Sequence, residues 1–166
     1  MIAAMEIRHD LHYDAPPAAV YAMLGDPEFR ARVCEAMQVA RHDVEVSATS
    51  IGMDVRIDMS QHTTGLPAIA RKVVGDTTRV VQSERWEAAK GADLRVEIPG
   101  RPGHIRGRIS LSGNGAGTRE SFVGEATIGV PLVGRRLEGL VERLFIEGMD
   151  TEQAVGARWL AERDDA

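Results

Sequence analysis

Apolar and polar residues alternate along most of the chain, then fall into a slower rhythm over its last third. Residues 5–13 place Ile7, Leu11 and Tyr13 on one side and Glu6, Arg8, Asp10 and His12 on the other, the period of two that marks a half-buried strand. The same alternation predicts strands over 38–47, with Ala40, Val44 and Val46 in phase, and over 51–59, with Ile51, Met53, Val55, Ile57 and Met59 on one side. Four more follow over 77–87, 92–98, 104–113 and 117–128. Gly91, Pro99-Gly100, Pro102-Gly103 and Gly113-Asn114-Gly115 supply tight bends between them, and connections this short force neighbouring strands to run antiparallel.

From 131 to 160 the spacing lengthens to three and four. Val133, Leu137, Leu140, Val141, Leu144, Val155 and Trp159 form one stripe, with Arg135, Arg136, Glu138, Glu142, Arg143, Glu152 and Arg158 between them. One long amphipathic helix is predicted there. Two short helices are expected after the first strand. Pro16-Pro17 opens one, with Asp14 available as its cap; Gly25 ends it, and Asp26-Pro27 opens a second that runs to about Met37. Pro67 and Gly75 bracket a further short helix over 68–74.

Seven strands need an apolar partner for one face, and the long helix supplies it. The expected architecture is therefore α+β: a seven-stranded curved antiparallel sheet around a C-terminal helix, as one domain spanning 1–166. Val55, Ile57, Leu94, Val96, Ile109, Leu111, Leu137, Leu144 and Trp159 are expected inside it. Gly134, Gly139, Gly148 and Gly156 are a costly set for one helix, each up to about 1 kcal/mol worse than Ala. Close approach of the sheet, or space left beside the helix, would justify them.

Composition narrows the function classes. The chain has 166 residues and a formal charge of −5, from 25 acidic and 20 basic side chains, with the arginines interleaved among carboxylates. That balance argues against nucleic acid as a partner, because phosphate binding needs a clustered basic face. No stretch approaches the roughly 20 continuous apolar residues of a membrane span, and residues 1–5 are too short and too weakly apolar for a signal peptide. Cys34 is the single cysteine, which excludes an internal disulfide and is typical of a reducing compartment. A cytoplasmic location is the expectation. No metal-ligand spacing is present among the histidines and carboxylates, so neither metal nor cofactor is expected.

The opening His9-Asp10-Leu11-His12-Tyr13-Asp14-Ala15-Pro16, followed by Val20-Tyr21-Ala22-Met23-Leu24 and Asp26-Pro27-Glu28-Phe29, resembles the START-like superfamily of helix-grip proteins. That superfamily includes polyketide cyclases, the Bet v 1 plant proteins and coenzyme Q-binding proteins. More narrowly, Glu84-Arg85-Trp86 and Val130-Pro131-Leu132-Val133-Gly134 with Glu138 look like DUF2505, a family of unknown function. The resemblance implies a cavity between sheet and helix. It does not supply a function, because one fold hosts many activities.

Strand parity names the residues that would face such a cavity. Met53, Val55, Val80, Val96, Ile109, Leu111, Phe122, Leu140, Val141 and Leu144 would supply an apolar lining, and Gln82, Glu84 and Glu120 a few orienting polar groups. A small hydrophobic ligand (lipid, isoprenoid or polyketide-like) is the expected partner. The mouth is expected near 65–74 and the turn after Ile98. Two alternatives stay open. One is a cyclase- or dehydrase-type enzyme acting through His9, His42, Glu84 or Glu120; His9, His42 and Glu120 converge if the first strand lies beside both the second and the last. The other is an interaction module in which the groove or the long helix binds a polypeptide or forms a homodimer.

Overall fold

A computed structural model describes residues 4–129 and 134–164. Strand β1 (Ala4–Tyr13) leads into two helices, α1 (Pro17–Leu24) and α2 (Pro27–Ala36). Strands β2 (Arg41–Ala48) and β3 (Gly52–His62) precede helix α3 (Ala68–Val74). Strands β4 (Thr77–Glu87), β5 (Gly91–Glu97), β6 (His104–Asn114) and β7 (Gly117–Thr127) complete one antiparallel sheet in the order β1-β7-β6-β5-β4-β3-β2. The chain ends in α4 (Gly134–Asp164), 31 residues long. The predicted elements are thus present to within a few residues, although the predicted start of the long helix, 131–133, lies outside the described residues.

Local chemistry explains most of the boundaries. Pro17 occupies the first turn of α1, where its missing N–H costs nothing. The cap position there is Pro16, without a side-chain bond, so Asp14 does not cap α1 as expected. Asp26 does cap α2, its carboxylate accepting from the Glu28 amide at 2.9 Å. Gly115, at a φ of 85°, makes the tight β6–β7 turn that an L side chain would strain.

Three aromatic pairs tie the helices to the sheet and to each other. Tyr21 of α1 meets Trp86 of β4 edge-on at 5.9 Å, Phe29 of α2 meets Trp159 of α4 at 5.5 Å, and Phe122 of β7 meets Phe145 of α4 at 4.8 Å. Gly107 and Gly124 face each other across β6 and β7, and the Phe122 ring lies over both. Cβ atoms there would come within 2.5 and 2.6 Å of its Cζ. On α4, a Cβ at Gly156 would sit 2.6 Å from Tyr13 Cε1. Close approach of β1 is the reason for that glycine.

Strands β1 and β2 occupy opposite edges of the sheet. At the β1 edge, the His12 amide donates to Gln153 Oε1 of α4 at 2.7 Å, and His9 meets Asp150 at 2.6 Å. The helix therefore covers an edge that would otherwise offer a bare N–H to a second strand. Cys34 is buried, as expected of a small apolar residue.

One expected strand position and two expected core positions need correction. Ile51 precedes β3 and is 58% exposed. Leu144 is 39% exposed, and Val96 is half-buried. The last two share a cause. Helix α4 packs on β1, β7, α1 and α2, so its N-terminal half stands away from the middle strands and the apolar stripe is only partly covered. The other expected core residues are buried.

Gly124→Ala should destabilise the fold by about 1–3 kcal/mol in urea denaturation, because its Cβ would sit 2.3 Å from the Arg106 carbonyl oxygen and 2.6 Å from the Phe122 ring. An unchanged midpoint would show that Phe122 has room to move aside.

Candidate functional site

The inner face of the sheet changes character along its strands. On β4, Trp86 and Glu84 are buried, whereas Gln82 and Val80 are only half-buried; on β5, Ala92 and Leu94 are buried and Val96 is not. These are central strands, so the partial exposure is not that of a sheet edge. Leu140, Val141 and Phe145, from the N-terminal half of α4, are half-buried as well, and Phe145 packs on Phe122 of β7. The inner face is thus closed at the Trp86–Ala92–Met53 row, where all three side chains are buried, and more open at Gln82 and Val96, which pair with each other further along the same strands.

The closed end is built around a charge. Arg30 of α2 is 2% exposed, and its guanidinium donates to both Glu84 oxygens, at 3.0 and 2.7 Å. Its Nε donates to the Leu24 carbonyl at 2.7 Å, and Glu152 of α4 lies 3.7 Å away. Glu84 also accepts from Trp86 Nε1 at 2.8 Å and from Gln82 Nε2 at 2.7 Å. Burial acts to lower the pKa of Arg30, but Glu84 and Glu152 outweigh it and hold the guanidinium charged.

Two more groups complete the cluster. Glu120 of β7 is buried, and burial first, then the charges of Glu152 and Glu84, push its carboxyl well above the ordinary range. Glu152 interacts with it electrostatically, and its own pKa is also raised, chiefly by burial. The Tyr13 hydroxyl donates to Glu152 at 3.4 Å, and burial together with Glu152 raises the tyrosine pKa. One guanidinium thus faces three carboxyls, and one proton held between Glu120 and Glu152 relieves the repulsion. Glu120 Oε2 has no hydrogen-bond partner among the described residues.

Each candidate residue has a definite place. Met53, Val55, Ile109, Leu111 and Phe122 are buried; Val80, Gln82, Val96, Leu140 and Val141 are half-buried; Leu144 is exposed. Glu84 and Glu120 belong to the buried cluster. The expected meeting of His9, His42 and Glu120 does not occur. His9 pairs across from Phe122 on one edge strand and His42 from Met59 on the other, because β2 pairs only with β3. Among the described residues no group of three or more His, Cys, Asp or Glu is placed to hold a metal ion, and no helix is long and apolar enough to cross a membrane.

Arg30, Glu152 and Tyr13 are the members of the cluster that strand parity did not offer as site residues. A signal for the first two was present. Arg30 stands three residues before Val33 and four before Cys34, and Glu152 three before Val155, so both charges fall in phase with an apolar stripe.

A seven-stranded antiparallel sheet gripping a C-terminal helix, with two short helices after the first strand, defines a helix-grip domain. The chain belongs to the protein family of unknown function DUF2505, which it matches over residues 8–160. No curated protein matches the sequence. Solved structures match the fold. TTHA0849 from Thermus thermophilus shares 20% identity at a TM-score of 0.65, over 95% of this chain and 99% of that one. The Zhui aromatase/cyclase from Streptomyces sp. R1128 shares 13% at 0.63, over 97% and 96%. Norcoclaurine synthase from Thalictrum flavum shares 13% at 0.62, over 97% and 88%.

Arg30→Met leaves Glu84 charged and buried without its partner and should cost about 3–5 kcal/mol in urea denaturation; the double variant Arg30→Met/Glu84→Leu should regain much of that. No recovery in the double variant would mean that the pair is not the unit of stability. A second expectation concerns pH. Unfolding frees Glu120 to ionise, so above about pH 4.5 the unfolded chain binds fewer protons than the folded one, and stability falls as pH rises towards the folded pKa. Glu120→Gln should flatten that decline in a series of melts from about pH 4.5 to 8; an undiminished slope would place the titration elsewhere.

Proposed function

We propose that the protein binds a small hydrophobic molecule (lipid, isoprenoid or polyketide-like) in a trough between the sheet and the N-terminal half of α4. One observation carries this reading. Val80 and Val96 lie on the inner face of central strands, yet they are left partly exposed, and so are Leu140, Val141 and Phe145 on the N-terminal half of α4. A concave apolar surface with a few fixed polar groups is the usual form of a ligand site. Water in such a trough gains little from its walls, and an apolar body replacing it removes their surface from solvent. The mouth lies at the open end, close to α3 and the turn that follows Ile98. Solved structures of similar fold include a protein named as an aromatase/cyclase and one named as norcoclaurine synthase, which supports a site for small organic molecules on this scaffold.

The cluster around Arg30 gives the trough a rigid floor. Its charges are already satisfied by one another, so the ligand need not supply a counter-charge. Binding without chemistry is therefore the simplest activity that the arrangement supports.

Native mass spectrometry of freshly purified protein should show retained small-molecule mass. N-phenyl-1-naphthylamine should gain fluorescence on binding, and Val96→Trp, which fills the trough from a central strand, should reduce that binding at least tenfold with the circular dichroism spectrum preserved. A wild type that binds no probe, or a folded Val96→Trp that binds as well as wild type, would overturn the reading.

A further inference from the structure

We infer that Gln82 selects the ligand, and that the molecule taken is one bearing a hydrogen-bond donor, a hydroxyl, on an apolar body. This deepens the proposed function and rests on it. Glu84, ion-paired with Arg30, is a carboxylate and can only accept. The Gln82 atom 2.7 Å from it must therefore be the amide nitrogen, which fixes the orientation of the carboxamide. The carbonyl oxygen is turned away from Glu84.

That oxygen has no hydrogen-bond partner among the described residues, and it is not sealed from solvent, since Glu120 Oε2 is the one side-chain polar atom there that is both buried and unpartnered. Gln82 sits on the inner face between Val96 and Ile57, with Val80 two residues along its own strand. An acceptor locked in place among apolar side chains rewards a ligand that donates to it. It penalises one that buries only acceptors against it.

Charge sharpens the choice. The groups behind Gln82 are one guanidinium, already spanned by Glu84, and the carboxyls of Glu84, Glu120 and Glu152. A ligand carboxylate or phosphate placed at Gln82 would meet the charge of these carboxyls, and the guanidinium behind them is already taken up by Glu84. An alcohol or phenol avoids both penalties. Glu84 and Arg30 act here as positioning residues, because they orient the amide without touching the ligand.

Isothermal titration of the full chain with naphthalene, 2-naphthol, 2-naphthoate and 2-naphthylmethylamine separates the possibilities, since the four share one apolar body. Wild type should bind 2-naphthol about tenfold more tightly than naphthalene, and 2-naphthoate least well. In Gln82→Leu the ratio of 2-naphthol to naphthalene affinity should fall to about one. Equal binding of naphthol and naphthalene by wild type would overturn the role of Gln82 and leave the trough intact. A naphthol advantage that persists in Gln82→Leu would overturn it as well, as would a preference for the amine that survives the substitution, which would assign selection to the carboxyls instead. Failure to bind any of the four would sink the trough reading and this inference together.

Discussion

Arg30 carries a full charge into the interior of the domain, and the surrounding structure is arranged to tolerate it. A buried guanidinium costs several kcal/mol in lost hydration unless every donor finds an acceptor. Here the acceptors come from different parts of the chain: Leu24 at the end of α1, Glu84 on β4 and Glu152 on α4. None can shift by much without stranding the charge. The pair therefore fixes where α2 sits on the sheet and where the middle of α4 crosses it. An apolar core could match its stability. It would not specify those positions so narrowly, because hydrophobic contact has no direction.

The placement of α4 underlies the proposed trough. The C-terminal half of the helix is held by Trp159 against Phe29 and by Gln153 and Asp150 against β1, while its N-terminal half is tied to the sheet by Phe145 on Phe122. Phe122 can lie low enough for this because Gly107 and Gly124 leave no Cβ beneath it. Helix α4 is thus anchored along one side of the sheet, on β1 and β7, and the proposed trough lies over the strands it does not reach.

Most of this architecture was legible in the sequence. Period-two runs such as Met53-Val55-Ile57-Met59 report a strand with one wet face, and the change of period after 130 reports the helix. Glu84, Gln82 and Glu120 were found by parity because strand side chains alternate without exception there. Parity says which face a residue takes and nothing about which strands are neighbours. The expectation that His9, His42 and Glu120 meet failed for that reason: it needed β1 beside β2, and they lie at opposite edges. Leu144 failed differently. The stripe on α4 is continuous in sequence, but curvature of the sheet decides how much of it is covered. Arg30 was not singled out, although its phase with Val33 and Cys34 points inward.

The pairing of β1 with β7 has a consequence for how the protein is made. The first strand finds its only sheet partner more than a hundred residues later, and its other edge is covered by Gln153 of the final helix. Emerging from the ribosome, this segment waits for nearly the whole chain before its backbone groups are satisfied. Contacts of such long sequence separation slow folding, since loop closure must precede any reward. Expression hosts that shield nascent strands should thus yield more folded protein than the stability of the finished domain alone would suggest.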